Sequence, residues 1–412
     1  VVTRGSSPAA FGVSAIGGVI QAKTRSVNGP LLEVEGSTGS YMTRGVRLIG
    51  GYGDESGDLS VLAAVSYLGS EGAFPYRSDG GTAFDATDDR TISRDNNHFD
   101  RLVGLLNVQV QPSPGVTLTL TELVTSRRRG LPWVGLYQTR ETQLDSLQNI
   151  LGASLRVDLP GARGRRLVLA PWLSLSETRI ADPLNEFAGR LDASEDHSLM
   201  HGYRLSLRYP VAIQALPGLS LTPLTTAVYR HERFVGKDQR GDSRTRTVRG
   251  RHRFAAVGEL TLDYEPAQVA LVVSGRYEGV IDESDTERPD PTHIGSFRVG
   301  LVYRPIPQLI LRTNVARGAR FPTLFERFGD SAYVLGRAEL KPELGTTVDV
   351  GVRFDAHGLD LGEYLWVEAL GFTTWVDDLI HYAQNSQGVS RPDNTERALL
   401  AGVELGLVAD VL

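Results

Sequence analysis

From about residue 30 to the end of the chain, segments of roughly ten residues alternate apolar side chains with polar or small ones. This period of two is the mark of half-buried strands, and no other feature constrains the fold as tightly. In Phe297–Arg304, Phe297, Val299, Leu301 and Tyr303 oppose Arg298, Gly300 and Arg304, with Val302 an exception. In Gly202–Tyr209, Tyr203, Leu205, Leu207 and Tyr209 oppose Arg204, Ser206 and Arg208. In Gln148–Leu159 the rule holds from Leu151 onward and fails at Asn149 and Ile150. Sixteen segments read this way: Leu32–Thr38, Arg44–Tyr52, Leu59–Leu68, Arg101–Gln111, Val116–Ser126, Gln148–Leu159, Arg166–Thr178, Gly202–Tyr209, Leu219–Arg230, Arg253–Tyr264, Val269–Val280, Phe297–Arg304, Leu309–Ala316, Thr347–Phe354, Tyr364–Val376 and Leu399–Ala409.

The connections alternate in length. Gly53–Asp58, Pro112–Gly115, Pro160–Arg165, Pro210–Gly218, Glu265–Gln268, Pro305–Gln308 and Ala356–Gly362 are short and mostly rich in turn formers. Gly69–Asp100, Arg127–Leu147, Ile180–Leu199, His231–His252, Ile281–Ile294, Arg317–Gly345 and Asp377–Ala398 are long and polar, and only Gly39–Thr43 on that side is short. A soluble sandwich has no reason to sort its loops by end. An outer-membrane barrel does, with short periplasmic turns and long external loops. Tyr52, Tyr209, Tyr264, Tyr303 and Phe354 each close a strand at a short turn on the apolar face, as an interfacial girdle would. The expected fold is therefore all-β, a transmembrane antiparallel barrel with a polar interior. Sixteen or more strands enclose a lumen too wide for side chains to fill, so it holds water or a plug.

Composition removes other classes. The chain has 412 residues, no Cys and a formal charge of −6. No run nears the ~18 apolar residues of a membrane helix, thiolate sites are excluded, and nucleic acid is not the expected partner.

The first twenty residues break the strand pattern. They read Arg4-Gly5, then Phe11-Gly12, then Ala15-Ile16-Gly17-Gly18-Val19-Ile20. This closely resembles the end of the plug domain of TonB-dependent outer-membrane receptors, with Ser6 where Pro is usual and Phe11 where Tyr is usual. A second stretch, Ala319-Arg320-Phe321-Pro322-Thr323-Leu324-Phe325-Glu326, followed by Leu340-Lys341-Pro342-Glu343, looks like that family's FRAP-type segment, with Ala319 and Phe321 exchanged. Trp375–Ile380 and Gly402-Val403-Glu404 are similar to its next hairpin.

The resemblance implies a barrel of ~22 strands around a plug. Residues 1–29 would then be the C-terminal end of the plug and 30–412 an incomplete barrel. The rest of the plug, a TonB-binding segment, a signal peptide and about six strands would lie outside the chain. Alone, it is not expected to close as a stable barrel. The implied function is energised uptake of a scarce, bulky solute of the iron–siderophore or cobalamin class. The implied partners are a TonB-type energising complex, the small-molecule ligand and outer-membrane lipid. No catalytic residue and no cofactor are expected. A passive porin is the alternative, and a barrel hydrolase a more distant one.

Loop aromatics Trp133, Tyr137, Phe187, Phe325, Phe328 and Tyr333, with Arg240 and Arg244 of the basic loop Arg233–Arg253, are candidate ligand contacts. The acidic loop Ser78–Asn97 carries Asp79, Asp85, Asp88, Asp89 and Asp95 without EF-hand spacing, and reads as a solvated loop. The eight His are scattered, none in a His-Glu-x-x-His pattern, so no metal site is expected.

Overall fold

A computed structural model of the chain describes residues 2–4, 18–82, 84–132, 138–161, 164–186, 193–212, 216–240, 243–284, 291–329, 334–356, 365–384 and 390–409. β1 (Val2–Arg4) and β2 (Gly18–Ile20) pair as a small hairpin, Arg4 facing Gly18. The wall begins with β3 (Gly29–Gly39), β4 (Thr43–Gly53) and β5 (Leu59–Ser70). A second hairpin, β6 (Pro75–Ser78) with β7 (Arg90–Ser93), interrupts it.

The wall resumes with β8 (Phe99–Ser113), β9 (Val116–Gly130), β10 (Gln143–Asp158), β11 (Arg166–Ala181), β12 (Ala193–Arg208), β13 (Val211–Ala212), β14 (Leu219–Arg240) and β15 (Ser243–Tyr264). It ends with β16 (Val269–Ser284), β17 (Thr292–Ile306), β18 (Leu309–Arg320), β19 (Glu343–Asp355), β20 (Leu365–Gln384) and β21 (Ser390–Ala409). A five-residue helix, α1 (Leu324–Phe328), lies between β18 and β19. Strand follows strand in chain order, each antiparallel to the last, with β12 and the two-residue β13 sharing one place beside β14. The wall thus has the sixteen positions that the alternation predicts. No helix among the described residues is long and apolar enough to cross a membrane, which leaves crossing by strands untouched.

Strand order reads as a closed barrel, with β21 meeting β3. Hydrogen bonding leaves that seam open among the described residues: every other neighbouring place in the wall carries an antiparallel register, and none joins β3 to β21. Exposure agrees with the register. Leu32 and Val34 are 74% and 71% exposed and Leu405 80%, against 38% for Leu301 in mid-wall.

Several stretches expected as loops are strand. β14 and β15 stay paired out to Arg240 and Ser243, and β20 and β21 out to Gln384 and Ser390. Their alternation fades because both faces become polar above the bilayer, whereas the backbone groups still need partners. Ala193–Leu199, also expected as loop, belongs to β12.

The two faces separate as expected. Leu205, Leu207, Leu301 and Tyr303 point outward and are 38–47% exposed, and Tyr52, Tyr209 and Tyr264 mark the short-turn ends. Asn149, one of the two exceptions in β10, donates to Glu122 on β9 at 3.0 Å, a polar pair on the outward face. Arg298 turns the other way and donates to Asn314 at 2.8 Å.

An Arg on the lipid face at mid-bilayer costs about 2–4 kcal/mol. Leu301→Arg therefore destabilises the whole protein in lipid by that order. Gly300→Arg, whose Cβ would meet nothing nearer than 3.4 Å, costs clearly less. Reversible unfolding in bilayers measures both, and equal costs would refute the assignment of faces.

Candidate functional site at the lumen and its mouth

The residues after β2 lie inside the wall. Gln21 borders a space whose other sides are Arg166, Arg204, Ser206, Arg208 and Glu259, all on the inward faces of β11, β12 and β15. Farther on, Val27 is buried and its N–H donates to Ser60 at 3.1 Å. A Cβ on Gly53 would sit 1.7 Å from the Val27 carbonyl oxygen. Only glycine lets the segment pass so close to the end of β4.

Above Gln21 the inner wall is basic. Arg204, Arg230, Arg253 and Arg276, from four successive wall strands, line one cavity of about 330 Å³ with Trp172 and Glu278. Glu278, 3% exposed at its side chain, is held by Arg253 and, at 3.0 Å, by Arg276. Among these six lining residues, four guanidinium groups face one carboxylate. Such an arrangement suits carboxylate or phosphate groups, because planar forks bind them with two parallel hydrogen bonds.

The start of the segment between β18 and β19 reaches one wall of this cavity through Phe321. Phe321 is buried and carries the Arg253 guanidinium over its ring at 5.2 Å. α1 starts with a full capping box, Thr323 and Glu326 each bonding the other's backbone N–H. Arg320 then ties three strands together. It donates twice to Glu343 (2.5 and 2.7 Å) and twice to Glu326 (3.1 and 3.0 Å), and Glu343 accepts the Ile380 N–H at 2.7 Å. A second anchor reaches across from β15 and β16. Arg251 grips Asp282 with two bonds (2.5 and 2.9 Å) and donates to the Pro322 carbonyl, while Arg327 binds the same Asp282. The Arg251 and Asp282 side chains are 3% and 1% exposed.

Among the motif residues, Arg320, Glu326 and Glu343 meet in one cluster, Pro322 is a contact of Arg251, and Pro342 precedes Glu343 half-buried. Arg4 and Gly18 are placed by backbone pairing alone, and Gly5, Gly12 and Gly17 lie outside the described residues. So do Trp133, Tyr137, Phe187 and Tyr333 among the candidate contacts. Arg240 and Arg244 are described by their backbones at the tip of the β14–β15 hairpin. Phe328 packs between Arg249 (4.9 Å) and Arg327 (5.7 Å), with Phe325 half-buried on the same helix. The acidic loop spends its carboxylates locally: Asp85 on Thr87, Asp88 on Thr82 and Asp89 on Arg77. Sequence reasoning missed Arg251, Asp282 and the row of inward Arg residues as a unit. Strand parity offered a signal for the row, and none for Asp282.

Another clip joins two outer loops. Glu186 accepts the backbone N–H groups of Arg140 (2.8 Å) and Glu141 (3.0 Å) and bonds Thr142. Burial disfavours its charge, but the N–H donors outweigh it and hold the carboxyl below its usual range.

The family model for the TonB dependent receptor-like beta-barrel matches residues 41–410. The chain belongs to this family. Like other TonB-dependent receptors, it is a β-barrel protein of the outer membrane. No curated protein matches it by sequence. Solved structures share its fold at low identity. The copper transporter OprC is 16% identical, with a TM-score of 0.73 over 98% of this chain and 63% of its own. The FrpB iron transporter from Neisseria meningitidis is 14% identical, with 0.74 over 98% and 65%. The siderophore receptor PirA from Acinetobacter baumannii is 15% identical, with 0.69 over 98% and 64%. The chain thus spans less than two thirds of the length of each.

Removing one partner of a buried ion pair costs about 3–5 kcal/mol. Asp282→Ala leaves Arg251 and Arg327 without their shared carboxylate and frees the segment from Phe321 to Leu340. Limited proteolysis of the whole receptor should cut there far faster than in wild type, whereas Asp85→Ala in the exposed acidic loop should change nothing. Unchanged protection in the Asp282 variant would refute the anchor.

Proposed function

We propose that the protein is a TonB-dependent importer of a bulky, anionic metal chelate of the iron–siderophore class, with cobalamin the second candidate. The observation that carries this reading is the juxtaposition inside the wall. A segment following β2 lies against the inner strands, and above it four guanidinium groups line a cavity, one of them, Arg253, resting over Phe321 just before α1. In this reading residues 1–29 are the end of a plug. The basic wall attracts the carboxylate, catecholate or phosphate groups of a chelate, and the α1 segment forms part of the mouth. A TonB-type complex in the inner membrane supplies the work that moves the plug. FrpB, PirA and OprC, an iron transporter, a siderophore receptor and a copper transporter, are in keeping with a metal-linked cargo.

A passive porin needs an unobstructed lumen, and a segment at Gln21 works against that. A barrel hydrolase needs a nucleophile and a base brought together, and the described inner wall offers paired Arg and Glu instead.

The test is uptake in a strain whose only copy of the receptor is deleted, supplied with labelled ferric siderophores and cobalamin, with and without the energising complex. Uptake of one chelate should fall to background on losing either the receptor or the complex. Uptake that survives loss of the complex would refute energised transport. Dependence on the receptor for cobalamin alone would refute the siderophore assignment.

A further inference from the structure

Outside the wall, three adjacent strands carry imidazoles at the same level. His201 on β12 faces His231 on β14, and His231 faces His252 on β15. The rings form a column, with centroids 5.2 Å and 4.6 Å apart. All three share the parity of Tyr203, Tyr229 and Leu205, so they lie on the outward face. His252 is about twelve residues from Tyr264 along β15. A tilted strand crosses the bilayer in about nine to eleven residues, so the column stands just above the outer interface, in water and among headgroups.

We propose that His231, His252 and Glu283 form a binding site for a divalent transition-metal ion of the zinc or nickel class. One ligand atom from each lies within 4.8 Å of the others, the separation that ligands of one ion require. The Glu283 carboxylate approaches His252 Nε2 at 3.3 Å. On the other side of that ring, the Tyr229 hydroxyl is 2.9 Å from Nδ1. With the proton on Nδ1 donated to the tyrosine oxygen, the Nε2 lone pair points toward Glu283 and His231. Such a partner on the far ring nitrogen is the usual companion of a metal-bound histidine. Two imidazoles and a carboxylate suit Zn²⁺, Ni²⁺ or Co²⁺ over Ca²⁺ or Mg²⁺, which take oxygen ligands. His201, its ring tilted against that of His231, is the next imidazole along the column.

A neighbouring group of similar composition shows what a filled site looks like. His197, Glu195 and Glu177 also cluster on this face. There the Lys237 ammonium lies 3.2 Å from His197 and 3.5 Å from Glu195, in the place a cation would take. At the His231 group, Arg233 is on the same face and makes no ion pair with Glu283 among the described residues. Bound metal would staple β14, β15 and β16 together above the membrane, at the base of the longest hairpin of the wall.

The whole receptor, purified in detergent and stripped with chelator, should take up one equivalent of Zn²⁺ by calorimetric titration. Co²⁺ should give the d–d absorption bands of a low-coordinate nitrogen–oxygen site. His231→Ala and His252→Ala should each lower the affinity at least 100-fold and remove the bands. Tyr229→Phe should lower affinity about 10- to 100-fold, the range for loss of such a partner. His293→Ala, on the neighbouring strand, should leave both unchanged. All four positions are outward and partly exposed, so folding is not at issue. Binding equal in wild type and in the His231→Ala/His252→Ala double variant would overturn the site, as would the absence of any Zn²⁺ binding at 100 µM, a concentration about 100-fold above the ~1 µM Kd expected of even a modest site.

Discussion

In hydrocarbon no water is present to satisfy a backbone N–H or C=O, and each one left unpaired costs several kcal/mol. Every strand of this wall must therefore be bonded on both sides, and the rest of the structure follows. Pairing in chain order makes each connection a hairpin, so the turns sort to one end and the loops to the other. The register then fixes which side chains meet lipid, because a slip of one residue would turn every side chain to the other face. The same requirement isolates the seam. Among the described residues β3 and β21 share no register, and the high exposure of Leu32, Val34 and Leu405 shows apolar surface left uncovered beside it. Within a bilayer, that seam must pair directly or be bridged by further strands.

A wall of this circumference encloses more space than its own side chains fill. Two kinds of structure occupy it. The segment from β2 through Val27 runs along the inner strands, and the α1 segment closes down from the mouth. Ion pairs hold the second. Replacing buried pairs with apolar groups is often neutral for stability, so their value here is positional. Arg251 and Arg327 converge on Asp282 from different elements, and Arg320 joins β18, α1 and β19. Each fixes where a chain segment lies at the mouth of the wall. Phe321 illustrates the outcome: the residue exchanged with Ala319 relative to the usual motif stacks on Arg253 of the inner wall.

The sequence makes the wall legible because period two survives wherever one face meets lipid and the other water. Among the described residues all sixteen segments fall within strands, to within a residue at their ends, and even the exception at Asn149 has a polar partner in Glu122. Above the bilayer that contrast disappears, so the upper halves of β14, β15, β20 and β21 read as loops. The motif around Arg320 was legible as a motif, and its ion cluster was not. Arg251 is 31 residues from Asp282 and 71 from Pro322. Nothing local marks such partners. The imidazole column is hidden for the same reason, since its ligands come from three strands and no spacing along one strand reveals them. The candidate contacts Trp133, Tyr137, Phe187 and Tyr333 lie outside the described residues, whereas Phe325 and Phe328 sit on α1 beside Arg249 and Arg327.

One face of each strand meets lipid and the other a polar, occupied lumen. Spin labels placed one at a time from Ala270 to Tyr277 on β16, in the whole receptor in bilayers, test it directly. Collisional relaxation by dissolved oxygen should peak at Leu271, Val273 and Tyr277 and fall at Val272, Ser274 and Arg276. Val272 is the sharpest position, because it is as apolar as Val273 and differs from it only in the face it occupies. A uniform oxygen profile, or a maximum at Val272, would contradict the account.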